Sequence, residues 1–512
     1  MYPGVHARTA PDKLAVVLAD SGRSLTYREL DDRSAALARV LHDAGLRPGD
    51  VVALLTDNRP EAFEVFWAAM RSGLYITAVN SHLTAGEVAY IVEDSGAKAL
   101  IVSTTLSELS EQVGEKVTIG SARLAFGGAV RGFESYEDAL AGAGPRLEEE
   151  PCGAIMLYSS GTTGFPKGIQ PDLPERRVDE PGEPLVTVAQ FLFGLTDSDV
   201  YYSPAPIYHA APLRWGGAIH ALGGTVVLAE KFDAETALRH IEEHKITAGQ
   251  MVPTMFVRML KLDDEIRARH DLSSLRVLVH AAAPCPPEVK RSMIDWLGPV
   301  IYEYYSSTEA NGITFINSQE WLEHPGSVGK SVLGPAHICD EEGRELPAGE
   351  VGTIYLEYEK VPFSYHNDPE KTAASQHPEH PEHPTWTTVG DLGYLDEGGY
   401  LYLTDRKSFT IISGGVNIYP QEIENVLALH PAVEDVAVIG VPHPEMGEEV
   451  KAVVQVSSGA TASPDLADDL IAYVRERVAH FKVPRSVDFV DELPRTPTGK
   501  LVKGKLKAAY AS

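Results

Sequence analysis

Long apolar runs are missing. No stretch of the 512 residues approaches the length of a bilayer span, so no membrane partner is expected. Cysteine is scarce: Cys152, Cys285 and Cys339 are odd in number, far apart and outside any C-x-x-C pair. That excludes a disulfide framework or a cysteine zinc site and fits a reducing compartment. Positive charge is in deficit, with 44 Lys and Arg against 73 Asp and Glu, a net charge of −29. Nucleic-acid and anionic-membrane surfaces need a basic footprint, so neither partner is expected. A pocket for an anionic small molecule needs only a few local cations and is not excluded. The opening MYPGVHARTAPDK has no basic stretch followed by an apolar run, and the closing LKAAYAS carries no peroxisomal or lipid-attachment motif. A cytoplasmic enzyme is the expectation.

The chain is too long for one ordinary core, so at least two domains are predicted. Its first four-fifths alternates helix and strand patterns. TYRELDDRSAALARVLHDAG has helical apolar spacing, with Thr26 placed to cap its start and Gly45 its end. DVVALLT reads as a strand, PEAFEVFWAAMRSG as a helix with Pro60 in its first turn, and AKALIVS as a strand. FDAETALRHIEEHKIT (helix), LRVLVHAAAP (strand), PPEVKRSMIDWLG (helix) and VIYEYYSSTE (strand) continue the pattern. Such alternation predicts an α/β fold: a large N-terminal domain, 1–404, of helix-covered, mainly parallel sheets. QPDLPERRVDEPGEPL, from Gln170, reads as a surface loop. QHPEHPEHP, with His377, His380 and His383, reads as a solvated, mobile loop rather than a metal site, because its prolines work against a compact ligand cluster. Near Asp405 the texture changes to a small α+β pattern, 410–512: helix PQEIENVLALH, strands VEDVAVIGV and EEVKAVVQV, helix DLIAYVRERVAHF, strand SVDFVDEL. DRKSF, 405–409, is the candidate junction.

The strongest chemical signal is YSSGTTGFPKG, Tyr158 to Gly168. Ser159, Ser160, Gly161, Thr162, Thr163 and Gly164 offer backbone N–H groups and hydroxyls that can wrap around phosphate oxygens, and Lys167 adds a cation. It is not the P-loop pattern, because Pro166 precedes the lysine and Gly168 follows it.

This segment resembles the phosphate-binding signature of the adenylate-forming superfamily, which includes acyl-CoA synthetases, peptide-synthetase adenylation domains, luciferases and amide bond synthetases. The other signatures follow in order: PAPIYHAAP around His209, AAAP from Ala281 to Pro284, YYSSTE ending in Thr308 and Glu309, GD at Gly390 and Asp391, DRKSFTIISGGVNIYPQEIE from Asp405, and PRTPTGK ending at Lys500. The resemblance covers nearly the whole chain. It implies ATP and Mg2+ as cofactors, a small-molecule carboxylic acid as substrate, and a thiol or amine as acceptor, with CoA favoured. It implies that Lys500 bridges the attacking carboxylate and the phosphate, that Glu309 ligates Mg2+ and that Thr308 bonds the α-phosphate. Tyr305 would stack on adenine beside a wall of Ala281, Ala282, Ala283 and Pro284, with the neighbouring Tyr304 in the core. Asp391 would accept from the ribose hydroxyls, with Arg406 assisting at the ribose or phosphate. His209 would gate the acid pocket, for which Trp215, Phe191 and Phe193 are further candidates against core packing. Gly414 and Gly415 would let a narrow pantetheine thread pass close to the backbone.

Two positions depart from the family pattern. Ser408, followed by Phe409, stands where Asp or Lys usually forms the hinge. Ser306 replaces the usual glycine before Ser307, which should narrow or polarise the pocket and favour an aromatic or short acid. An acyl-CoA ligase is the leading expectation, with an amide bond synthetase as the alternative. A peptide-synthetase module or a luciferase fits less well. A non-catalytic nucleotide sensor is disfavoured by retention of Lys167, Glu309, Asp391 and Lys500.

Overall fold

The computed structural model describes residues 2–159, 166–379, 382–406, 409–494 and 501–510, apart from the side chain of Ser159. Runs such as Val51–Leu55 and Tyr75–Val79 are apolar throughout and buried at every position. A strand of that kind needs cover on both faces, which parallel sheets between helices provide. One six-stranded sheet is wholly parallel, in the order Glu134–Ser135, Ala122–Phe126, Ala97–Ser103, Val51–Leu55, Tyr75–Val79, Ala154–Ile155. A seven-stranded sheet runs Ile301–Glu303, Val277–His280, Ala248–Met251, Val200–Ser203, Thr225–Leu228, Leu14–Leu18, Ser24–Thr26, and only its last strand is antiparallel.

Between these sheets lies one continuous core that includes Val52, Ile76, Tyr201 and Val226. The helices Glu61–Met70 and Ala210–Leu222 share it, through Phe63, Phe66, Leu213 and Trp215. Their close approach depends on two glycines. A Cβ at Gly216 would lie 2.3 Å from the Phe63 ring, and one at Gly217 would lie 2.6 Å from Phe66. This contact sets the height of Ala210–Leu222 and so of the residues at its N-terminus.

Asp391–Leu395 and Leu401–Arg406 belong to an antiparallel sheet with Ala336–Cys339, Gly352–Glu357 and Trp386–Thr387. Beyond them a separate sheet combines Val416–Ile418, Ile411–Ser413, Gly447–Val456, Val433–His443 and Ser486–Val490, with its own apolar cluster. The fold class is thus as the pattern predicts: large parallel sheets, then a smaller α+β domain.

The start at Thr26 is as its local signal predicts. Thr26 and Glu29 form a reciprocal capping box on Tyr27–Asp43. Strand ends differ from expectation. The strand predicted over 275–284 stops at His280, because Ala282 has φ +75°, a conformation no strand can pass through. The strand predicted over 300–309 is only Ile301–Glu303. The chain then doubles back, with bridges Glu303 to Ile316 and Ser306 to Ile313, and Ala310 turns at φ +54°. The helix predicted from Asp469 to Phe481 is Pro464–Arg475, started by the Ser463 hydroxyl cap on Leu466 N–H.

The proline- and histidine-rich segment from Gln376 is also a correction. His377 is 2% exposed, and its backbone N–H donates to Trp386 O while the His383 N–H donates to Glu379 O. These bonds satisfy the backbone locally, so the prolines do not prevent compact packing. His380 lies outside the described residues.

Candidate functional site

In open α/β sheets, binding crevices form beyond the carboxyl ends of the strands. Here the ends of Val200–Ser203, Val277–His280 and Ile301–Glu303 open on a cleft of about 2040 Å³. Its large-domain wall carries His209, Tyr305, Thr308, Glu309, Asp391 and Arg406, and its small-domain wall includes Glu424, Leu501 and Lys503.

At one end, Asp391 begins its strand and is paired in register with Arg406. The Asp391 carboxylate receives the Tyr305 hydroxyl at 2.8 Å and Arg406 Nε at 2.9 Å. Burial, followed by the charge of Asp391, holds the Tyr305 phenol well above its ordinary range, so it remains a donor. These contacts fix a carboxylate of the kind that accepts from ribose hydroxyls. Ala282, Ala283 and Pro284 line the cleft, whereas Ala281 is buried behind them.

Next to them, Glu309 sits in a turn rather than at a strand end, and its Oε1 accepts the Tyr365 hydroxyl at 2.8 Å. Ser159 pairs with Lys167 across a two-stranded antiparallel ladder, which places the two ends of the phosphate segment side by side. Ser160, Gly161, Thr162, Thr163 and Gly164 lie outside the described residues. Lys167 Nζ is 3.0 Å from Asp368, and this hydrogen bond raises its pKa. Asp368 also caps Pro369–Ala374, which carries Lys371 into the cleft. Burial lowers the Lys371 pKa despite the pull of Glu309 and Asp368.

At the acid end, His209 is the N-cap residue of Ala210–Leu222 and lines the cleft. Tyr304, read from sequence as core, is part of the cleft wall: its hydroxyl accepts from Gln250 Nε2 at 2.7 Å and Trp215 Nε1 at 3.2 Å. Trp215 lines the cleft too, Phe193 packs inside the core against it, and Phe191 is 82% exposed and is no pocket residue. Ser306 lines the cleft, but its hydroxyl donates to Gly312 O at 2.7 Å and so is engaged by the backbone.

Arg214, which motif reading missed, projects from the same helix. Among the described residues its guanidinium makes one hydrogen bond, to Thr308 O at 3.4 Å, and no ion pair. Burial lowers its pKa, the sign of a cation short of a partner. Lys371 and Tyr365 were missed as well. No signature contains them, and only the tertiary fold brings them to Glu309.

In the small domain, Ser408 and Lys500 lie outside the described residues. Gly414 and Gly415, at φ +57° and +79°, are the two central residues of the hairpin turn between Ile411–Ser413 and Val416–Ile418. That turn requires positive φ at both positions, which accounts for the glycines independently of any ligand. Neither glycine lines the cleft. Lys503 is buried and paired with Glu424 at 2.8 Å. No helix among the described residues is long and apolar enough to cross a membrane.

Two family models match this chain: AMP-binding enzyme over residues 5–365, and AMP-binding enzyme C-terminal domain over 422–500. A feruloyl-CoA synthase from Amycolatopsis sp is 35% identical, covering 99% of this chain and 98% of its own. A 2-succinylbenzoate–CoA ligase from Geobacillus kaustophilus is 33% identical, covering 97% and 95%. The solved structure of the amide bond synthetase McbA from Marinactinospora thermotolerans superposes with a TM-score of 0.82 at 28% identity, covering 99% and 100%.

Proposed function

The chain belongs to the AMP-binding enzyme family and is an ATP-dependent, AMP-forming ligase, and from that premise we propose that it activates a small-molecule carboxylic acid as an acyl-adenylate and transfers the acyl group to CoA. The observation that carries this reading is the convergence, on one cleft, of the Asp391–Tyr305–Arg406 cluster, the Thr308–Glu309 turn, the His209 helix start and the small-domain residues next to Lys500.

In this mechanism a carboxylate oxygen attacks the α-phosphorus, the bond to pyrophosphate breaks, and the acyl-adenylate forms. Alignment and charge do most of the catalysis. Asp391 holds the ribose, Tyr305 and the 282–284 wall hold adenine, and Thr308 donates to the α-phosphate. Lys167, Lys371 and the segment 159–164 would hold the departing phosphates. Glu309 is the residue that would hold Mg2+, since it offers a hard carboxylate oxygen, and the ion would neutralise phosphate charge. Arg214 is the cation for the acid, beside the Trp215 and Tyr304 rings, and His209 guards the pocket entrance. Lys500 bridges the attacking carboxylate and the α-phosphate.

For the second step we divide the chain at 1–404, 405–409 and 410–512, with Ser408 as hinge. The described arrangement suits adenylation: Leu501 and Val502, adjacent to Lys500, line the cleft, while Gly414 and Gly415 are exposed outside it. Rotation would withdraw Lys500 and bring Gly414 and Gly415 toward the acyl-adenylate, where the CoA thiolate attacks the carbonyl and AMP leaves. Work in a reducing cytoplasm fits three unpaired cysteines.

The likeness to an amide bond synthetase supports one second reading, in which an amine takes the place of CoA. The decisive experiment offers acyl-adenylate to the enzyme with CoA or with a simple amine, and quantifies thioester and amide by mass. Thioester above the enzyme-free rate is expected. Amide at a catalytic rate with no enzymatic thioester would reassign the protein as an amide bond synthetase.

A further inference from the structure

Away from the cleft, the segment from His377 to His383 gathers a second set of donor atoms. One nitrogen each from His377 and His383 and a carboxylate oxygen of Glu379 all lie within 4.8 Å of one another. None of these residues lines the nucleotide cleft. We propose that His377, Glu379 and His383 form a binding site for a borderline divalent transition ion such as Zn2+, distinct from the Mg2+ that accompanies ATP.

Three features support this assignment. First, His377 is buried and oriented in the way that metal-ligating histidines are. Its Nε2–H donates to the Gly343 carbonyl at 2.8 Å, which fixes the ring and the tautomer and leaves Nδ1 as the lone-pair atom. That lone pair now accepts the Glu379 backbone N–H at 3.1 Å, a bond the ion would replace. Second, His383 is oriented by ring stacking, a contact along which it can still slide. Its ring stacks on Trp386 at 4.0 Å, while His337 stacks on the opposite face of the indole at 3.5 Å. The same ring meets His377 edge to face at 4.9 Å between centroids. Third, the donor set is selective. Two imidazoles and one carboxylate suit Zn2+ or Co2+, whereas Mg2+ favours oxygen donors and retained water. Three protein ligands leave a fourth position for water. With metal–nitrogen bonds of about 2 Å, the donors must draw together by roughly 1 Å, a movement within reach of Glu379 and His383 on the loop.

The position gives the ion a structural task. The His377 N–H donates to Trp386 O, the Thr388 N–H donates to Ser375 O, and the Gly390 N–H donates to the Thr388 hydroxyl. Binding at His377 and His383 would fasten the loop whose exit strand leads directly to Asp391.

The test uses the full chain, prepared without a metal-affinity tag and stripped with EDTA, then titrated with Zn2+ and with Co2+ in excess Mg2+. One equivalent of each should bind, Co2+ should show the visible bands of a low-symmetry site, and Zn2+ should raise the melting temperature. His377→Ala risks misfolding, so the variants are His383→Ala and Glu379→Gln. Each should weaken Zn2+ binding by about tenfold or more and abolish the thermal shift, while Mg2+-dependent adenylation continues. Failure of the wild type to bind Zn2+, or binding by His383→Ala equal to the wild type, would overturn the site.

Discussion

Glu309 and Arg214 illustrate how differently two charged side chains meet the same cleft. Glu309 has one oxygen held by Tyr365, which keeps the carboxylate aimed in the cleft. Glu309→Gln should therefore raise the Mg2+ concentration needed for half-maximal adenylation and lower the maximum rate, since an amide is a poorer ligand for a hard cation. A magnesium titration with unchanged midpoint and maximum would remove Glu309 from the metal site. Arg214 is a half-buried cation with no ion-pair partner among the described residues, and desolvation lowers its pKa. Charge-assisted hydrogen bonds contribute about 1.5–3 kcal/mol, so Arg214→Ala should raise KM for the acid by roughly ten- to a hundredfold with much less effect on KM for ATP. Equal effects on both would make Arg214 a phosphate residue or a structural one. Glu309, Asp391 and His209 could be read from sequence because each sits in a compact local signature. Arg214 and Lys371 could not. Which face of a helix turns toward a cavity is decided by packing, here by Gly216 and Gly217 against two phenylalanines.

Among the elements, the C-terminal helix Lys503–Ala509 has particular weight because it begins three residues after Lys500. It is pinned to the small domain by the buried Lys503–Glu424 pair, and Glu424 also accepts the Val438 N–H. Burial raises the Glu424 pKa, while Lys503 and the Val438 N–H oppose that shift. Removing one partner of such a pair leaves an uncompensated buried charge and costs about 3–5 kcal/mol. Lys503→Ala should accordingly lower the denaturation midpoint of the small domain and slow adenylation, with ATP affinity at the large domain little changed. Unfolding that matches the wild type would show that the pair is not what anchors the helix. Helix starts were legible only where the cap itself was read. Thr26 caps its helix through a bond to Glu29, a purely local effect that the pattern predicts, whereas the equivalent Ser463 cap was missed and that helix, expected from Asp469, begins at Pro464. The strands ending at His280 and Glu303 stop because Ala282 takes positive φ and the chain after Glu303 folds back, and neither event has a local composition signal. Gly414 and Gly415 show the reverse case: their pattern was legible, but a two-residue hairpin turn explains it before any ligand does.

At the scale of the whole molecule, two domains with separate cores face each other across the nucleotide cleft, and contacts such as Lys261 Nζ to Val433 O at 2.7 Å hold them in one arrangement. Alternation of strand and helix patterns predicted the large domain, and the change of texture near Asp405 predicted the small one. In the proposed mechanism chemistry depends on the relative position of the two domains and binding mostly on the large one, and Lys500 and Asp391 would separate these two demands. The measurement that bears most directly on the account is acid-dependent exchange of isotope between pyrophosphate and ATP, run on the wild type and on Lys500→Ala across a panel of aromatic and short aliphatic acids, with ATP affinity measured in parallel. The account predicts exchange that requires both an acid and Mg2+ in the wild type, and a loss of roughly a hundredfold or more in the variant with ATP affinity nearly unchanged. Exchange in Lys500→Ala at the wild-type rate, or wild-type protein that binds ATP yet exchanges no pyrophosphate with any acid of the panel, would contradict it.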